Sequence, residues 1–194
     1  MTEVANTGTE ERLFDCALTL FAEKGYAATT VREIIEAVGL AKPVLYYYCK
    51  NKVDLFSKLV DRIHHSAYRE LELLCASSLP WEEKLRQIIR GTFAFCRADP
   101  RVPRLMAQAS FGPSLPELSP VLERYESKRF EMICEVIKQG RTGGGEAVVA
   151  ARAMAFCSLM DHPVIAFTRS EGLAVHLTEE LADSLCEVFL SGVS

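Results

Sequence analysis

The chain has 194 residues, 49% of them apolar, and a formal net charge of −4. That length allows one domain or two small ones with a real core, and the mild acidity excludes a general polyanion binder while permitting a locally basic surface. Seven scattered cysteines, an odd number with no Cys-x-x-Cys, exclude a disulfide framework and a zinc site and fit buried thiols in a reducing cytoplasm. The N-terminus lacks the basic flank and apolar core of a signal peptide. No run is expected to reach the roughly 20 apolar residues of a membrane span, so no membrane partner is expected.

Residues 1–8 are polar and expected to fray. From Thr9 a first helix is marked by Leu13, Phe14, Ala17, Leu20 and Phe21 at helical spacing, and Gly25 closes it, with Tyr26 placed to fold back on the last turn. Thr30 and Glu33 fit a capping box that opens a second helix, whose apolar face is Val31, Ile34, Ile35 and Val38. Gly39 ends it, because a residue without Cβ takes the left-handed conformation at little cost. A short third helix, residues 42–49, follows. Leu45 and Cys49 point to the core, while the pairs Lys42/Tyr46 and Pro43/Tyr47 lie opposite. Asn51 reads as the N-cap of a long fourth helix, with Asp54 three residues on. Helix, glycine turn and short helix make a helix-turn-helix, whose second helix can enter a major groove. Lys52 stands in the first turn of the fourth helix, where the dipole disfavours a cation; a phosphate just outside would reverse that preference.

The fourth helix keeps its period through Leu55, Phe56, Leu59, Ile63, Tyr68 and Leu71, and is the natural link to the remaining chain. His64 and His65 are adjacent, too far apart in angle to form an i, i+4 metal pair, and are expected to be solvated. Further helices are expected from near Pro80 to Asp99, over 102–110, over 120–139, over 146–168 with a kink at Pro163, and over 177–190. Residues 111–120 read as a loop and 142–145 as a flexible break. The last two helices are poor in charge, as a core position or a subunit interface requires.

The segment from about 9 to 60 resembles the DNA-binding domain of the TetR/AcrR family of bacterial transcriptional regulators. The carrying residues are LFAEKGYAATTVREI from Leu20, then Val38-Gly39-Leu40, Leu45-Tyr46-Tyr47 and Lys50-Asn51-Lys52. The resemblance implies an all-α protein, with a three-helix helix-turn-helix domain at 1–55 and a larger helical ligand-binding and dimerisation domain at 56–194. It implies contacts to double-stranded DNA from Thr30, Arg32, Lys42, Pro43, Val44, Tyr46, Tyr47, Tyr48 and Lys52. It also implies a homodimer built through the last two helices on a near-palindromic operator, and a small-molecule effector. Three positions depart from the family pattern. Ala41 stands where Ser or Thr caps the recognition helix, Val44 where Thr is usual, and Cys49 where Phe is usual.

Effector candidates are residues larger or more polarisable than a plain aliphatic core requires: Phe93, Cys96, Met106, Phe111, Tyr125, Met132, Phe156, Met160 and His162. Few charges fall on the apolar faces, so the expected effector is mostly hydrophobic. No glycine-rich phosphate loop, HExxH, GxSxG or carboxylate cluster occurs, so an enzyme is not expected and no cofactor is assigned. The reading is a ligand-responsive regulator, a repressor more often than an activator. Two alternatives stand beside it: a thiol-based redox sensor using Cys49, and a helical interaction protein that has lost DNA binding.

Overall fold

A computed structural model describes residues 2–111, 116–140, 145–169 and 176–192, and side chains from residue 8 onward except that of Ser66. The described residues form α-helices and no strand: α1 (Thr2–Lys24), α2 (Val31–Val38), α3 (Lys42–Tyr48), α4 (Lys52–Ala76), α5 (Trp81–Ala98), α6 (Arg101–Phe111), α7 (Ser119–Gln139), α8 (Glu146–Arg169) and α9 (Glu179–Ser191). The helical periods expected from sequence recur as these elements. The ends differ by one or two residues in several elements and most at α1, which begins at Thr2, so residues 2–8 of the stretch expected to fray are helix. Residues 112–115 of the expected loop and 141–144 around the expected break lie outside the described residues.

Two apolar cores organise the bundle. The first is built on Leu13, Phe21, Ile34, Leu45, Leu55 and Phe56 from α1 to α4, and it also takes in Val102 and Leu105 of α6 and Leu122 of α7. The second joins Leu85, Ile89 and Phe93 of α5 with Ile133, Phe156, Met160 and Phe189 of α7, α8 and α9. The boundary expected at 55/56 thus falls inside the first core, because α6 and the start of α7 bury their apolar faces against α1–α4. Arg101 reinforces this contact. Its guanidinium donates to Asp99 in the same turn, reaches Asp15 at 2.8 Å and donates to Thr19 at 2.8 Å. Helix α4 spans both cores, with Leu59 and Val60 in the first and Leu71, Leu74 and Cys75 against the second.

Lys84 is nearly fully buried and satisfies its ammonium on the Cys75 carbonyl at 2.7 Å and on Gln139 at 2.9 Å, tying α5 to the ends of α4 and α7. Gly140 lies so close under the Trp81 indole that a Cβ there would fall 2.5 Å from the ring. Helix α8 corrects one expectation. It is 24 residues long and apolar enough by composition to cross a membrane. Its buried stripe of Val149, Ala153, Phe156 and Met160 enters the second core and its Asp161 holds the Arg129 guanidinium of α7, but only 28% of the apolar window is buried, so bundle packing covers part of that apolarity and leaves the rest outside. The helix continues through the buried Pro163.

Candidate DNA interface and effector region

The reading head is assembled by local chemistry that its sequence specifies. Thr30 caps α2: its hydroxyl accepts from the Glu33 amide at 3.2 Å, and the Glu33 carboxylate accepts from the Thr30 amide at 2.8 Å. A hydrogen bond from Lys24 at 2.8 Å, together with the Thr30 amide and hydroxyl, lowers the Glu33 carboxyl to about 2. Gly39 takes φ 72°, and its amide closes the helix on the Ile35 and Glu36 carbonyls. Asn51 and Asp54 form a reciprocal cap on α4. The Asn51 side chain accepts from the Asp54 amide at 2.8 Å, and Asp54 accepts from the Lys50 amide at 2.8 Å.

Between these two well-capped helices, α3 has only seven residues and no side-chain cap at Ala41. Leu45 and Cys49 hold it from beneath, both buried. Its outer face is open: Tyr47 is 74% exposed, Tyr46 46% and Val44 37%. Lys42 and Pro43 are exposed beside them, and the Lys42 ammonium lies 5.9 Å from the Tyr46 ring centroid. Tyr48 is half-buried, packs edge-on to Tyr47 at 5.2 Å and its carbonyl accepts from Lys58 at 2.6 Å. Arg32 projects from α2 at the surface, paired with Glu36 at 2.7 Å. A cation, a proline, a valine and two phenols therefore share one surface that packing leaves free. Such a face can meet phosphates and base edges together.

Two expectations need correction. Lys52 does not stand free for a phosphate. Its ammonium donates to the carbonyls of Tyr26 at 2.9 Å and Thr29 at 3.0 Å, and lies 4.3 Å from the Tyr26 ring centroid. Those carbonyls, in the turn between α1 and α2, offset the unfavourable dipole end of α4. Cys49 is no sensor thiol. Burial and the charge of Asp54 push it up to about 11, and its sulfur faces the Leu45 carbonyl at 3.6 Å. A thiol so placed is protonated and shielded, so the structure gives the redox alternative no support.

The effector candidates separate. Phe93, Cys96, Phe156 and Met160 are buried in the second core, and Met106 and Tyr125 pack against the first. Met132 is half-buried, while Phe111, at 60% exposure, and His162 lie on the surface. A cleft of about 570 Å³ lies instead between α4 and α7, with Tyr125, Tyr68 and His64 in its wall. His64 was expected in solvent and is not there, although its neighbour His65 is exposed. Its ring stacks on Tyr125 at 4.5 Å and meets Tyr68 edge-on at 5.1 Å. Burial, helped by the charge of Arg129, lowers it to about 4. The spacing puts His64, Tyr68 and Leu71 on one face of α4, at i, i+4 and i+7, but only the direction in which α7 crosses shows that this face is covered.

Residues 13–59 match the sequence model of a family described as bacterial regulatory proteins, tetR family. Over 83 residues the chain is 34% identical to the HTH-type transcriptional regulator AcrR of Shigella flexneri, a stretch covering 42% of this chain and 38% of that regulator. The chain spans less than half the length of that relative and of others like it. The fatty acid metabolism regulator protein of Bacillus subtilis is 25% identical over 186 residues, 94% of each chain. The crystal structure of the transcriptional regulator FadR from Bacillus subtilis in complex with stearoyl-CoA superposes with a TM-score of 0.80 at 20% identity, covering 95% of this chain and all of that one.

Proposed function

We propose that the chain, whose residues 13–59 match the tetR family of bacterial regulatory proteins, is a ligand-responsive, DNA-binding repressor of that family acting as a homodimer. The observation that carries this reading is α3. Its inner face is locked into the first core by Leu45 and Cys49, while Lys42, Pro43, Val44, Tyr46 and Tyr47 stand outside with no structural task. Tyr46 and Tyr47 supply hydroxyls for base edges, Val44 an apolar contact suited to a thymine methyl, and Lys42 and Arg32 the phosphate charge. Thr30 and Lys52 support the reading head rather than touching DNA first, and Tyr48 borders the surface.

A second copy of the chain docks on the outer faces of α8 and α9. Val148, Met154 and Val188 are exposed there, the last two at 61% each. Two-fold pairing through these helices would set two α3 helices on the two halves of a near-palindromic site. The effector is a mostly apolar molecule held in the helical domain. The kinship with a fatty acid metabolism regulator over nearly the full chain supports that class. Its binding shifts the α4 and α6 contacts that hold the head, and the difference in its affinity for the two states supplies the energy.

Selection of bound sequences from a random DNA pool by the purified full chain, followed by a salt titration on the selected site, tests the reading. The expected result is an enriched near-palindrome whose affinity falls steeply with salt. A folded dimer that enriches nothing at low salt overturns it.

A further inference from the structure

Helix α3 carries an aliphatic side chain that the fold does not use. Val44 is exposed and stands outside the first core. Valine is a weaker helix former than alanine or lysine, because its branched Cβ loses freedom against the preceding turn. In a helix of seven residues with no side-chain cap, an exposed valine costs stability, with no contact inside the chain to offset it. It also stands where the family pattern has threonine, so a second methyl replaces the hydroxyl expected there. The neighbouring Pro43, by contrast, has a structural reason, since proline suits the first turn of a helix.

The rest of the outer face narrows what α3 can read. In the major groove, guanine is read by arginine or lysine and adenine by asparagine or glutamine. Of these types α3 has only Lys42. On α2 the Arg32 guanidinium is engaged by Glu36 at 2.7 Å. Beside Lys42, α3 presents the phenols of Tyr46 and Tyr47 and the aliphatic carbons of Pro43 and Val44. Val44 and Tyr47 are three apart, and Pro43 and Tyr47 four apart, so the three share one side of the helix. The Tyr47 ring is steadied edge-on by the half-buried Tyr48 at 5.2 Å. The branched Cβ of Val44 restricts its own rotamers. This apolar patch is therefore largely set before DNA arrives, which lowers the ordering cost of contact.

We propose that Val44 makes α3 a reader of the pyrimidine 5-methyl group, so that each operator half-site holds a thymine at the Val44 contact and accepts 5-methylcytosine in its place. This rests on the reading of the chain as a DNA-binding regulator and names the chemical feature that its recognition helix selects. Thymine and 5-methylcytosine carry the same methyl at the same edge of the major groove. They differ in the exocyclic group beside it, an acceptor O4 in one and a donor N4 in the other. A phenol hydroxyl both donates and accepts, so Tyr47 fits either base, where a carboxylate or an ammonium selects one. Uracil and unmodified cytosine present a hydrogen instead of the methyl and leave the Val44 surface unfilled. Methylation of a cytosine at this position therefore raises affinity.

The test uses the purified full chain and the duplex it selects from a random pool. Each thymine of the half-sites is replaced in turn by uracil, which removes the methyl alone. The position of greatest effect is then filled with cytosine or 5-methylcytosine opposite guanine. Affinity of the wild type is expected to fall about fourfold per half-site from thymine to uracil, the effect of burying one methyl-sized group. It is expected to rise by a similar factor from cytosine to 5-methylcytosine. In Val44→Ala both ratios fall towards one, whereas in Tyr47→Phe, which keeps the ring, both persist. Melting curves confirm that the two variants fold. Selected half-sites without thymine, no uracil replacement that weakens binding as much as twofold, no gain from 5-methylcytosine, or ratios unchanged in Val44→Ala overturns the proposal. On a site that is enriched and bound, those outcomes remove the methyl reading alone. A folded protein that enriches no sequence removes the regulator reading, and the methyl reading with it.

Discussion

Lys52 occupies the first turn of α4, where a cation is disfavoured, and the structure supplies the compensation in the carbonyls of Tyr26 and Thr29. It is a positioning residue that ties the start of α4 to the turn ahead of the helix-turn-helix. Lys52→Met should lower stability by about 1.5–3 kcal/mol, the range for a charged hydrogen bond. The salt slope of DNA binding should stay as in the wild type; a slope smaller by about one would instead mean a lost phosphate contact. His64 gives a second test at this scale. Its folded pKa, about 4, lies below the unfolded value, so the folded state binds fewer protons than the unfolded chain. Its contribution to stability is complete above about pH 6.5 and is lost as pH falls from there towards 4, with a slope of at most about 1.4 kcal/mol per pH unit. Denaturant titrations between pH 7.5 and 4.5 should show a shallower loss in His64→Leu than in the wild type. Parallel curves would show that the ring titrates normally.

Among the elements, α3 is the least self-sufficient. Seven residues cannot hold a helix in water, and Ala41 offers no oxygen to the free amides of its first turn. What keeps it in place is the pair of buried contacts at Leu45 and Cys49 and the two firmly capped helices on either side. Ala41→Ser should therefore raise stability by about 1 kcal/mol, read as a higher denaturation midpoint. It should leave the set of preferred DNA sequences unchanged, since position 41 precedes the outward face. A changed sequence preference would place residue 41 in the interface. Helix α6 is the opposite case. The sequence gives it only a short apolar period, yet it packs along α1, with Arg101 bonded to Asp15 and Thr19 and the Gln108 amide donating to the Ala22 carbonyl at 3.1 Å. Any movement of the helical domain therefore reaches the head through α6 as well as through α4.

At the scale of the molecule, α8 and α9 each leave large apolar residues outside the two cores. Val148 and Met154 lie about two turns apart on one helix, and Val188 is equally open on the other. A double variant, Met154→Glu with Val188→Glu, should shift sedimentation from dimer to monomer. It should weaken binding to a near-palindromic site by at least tenfold while half-site binding persists. A dimer that survives both carboxylates would move the interface elsewhere.

The reading head was legible in the sequence because its determinants are local. Thr30 and Glu33, Gly39, Asn51 and Asp54 act within one helical turn, so their spacing alone specifies where α2 and α4 begin and end. The exposed face of α3 follows from the same period once Leu45 and Cys49 are assigned inward. Composition marked α8 as short of charge, but α9 carries Glu179, Glu180, Asp183 and Glu187 and so keeps a solvated face that the expectation missed. The sequence could not say where Lys52 reaches, because the carbonyls it binds are 23 and 26 residues away. Nor could it show that α6 completes the head's core, or that His64 leaves solvent to stack on a tyrosine 61 positions further along the chain. Those outcomes depend on how helices cross, which is fixed by the packing of whole faces and not by any residue with its sequence neighbours.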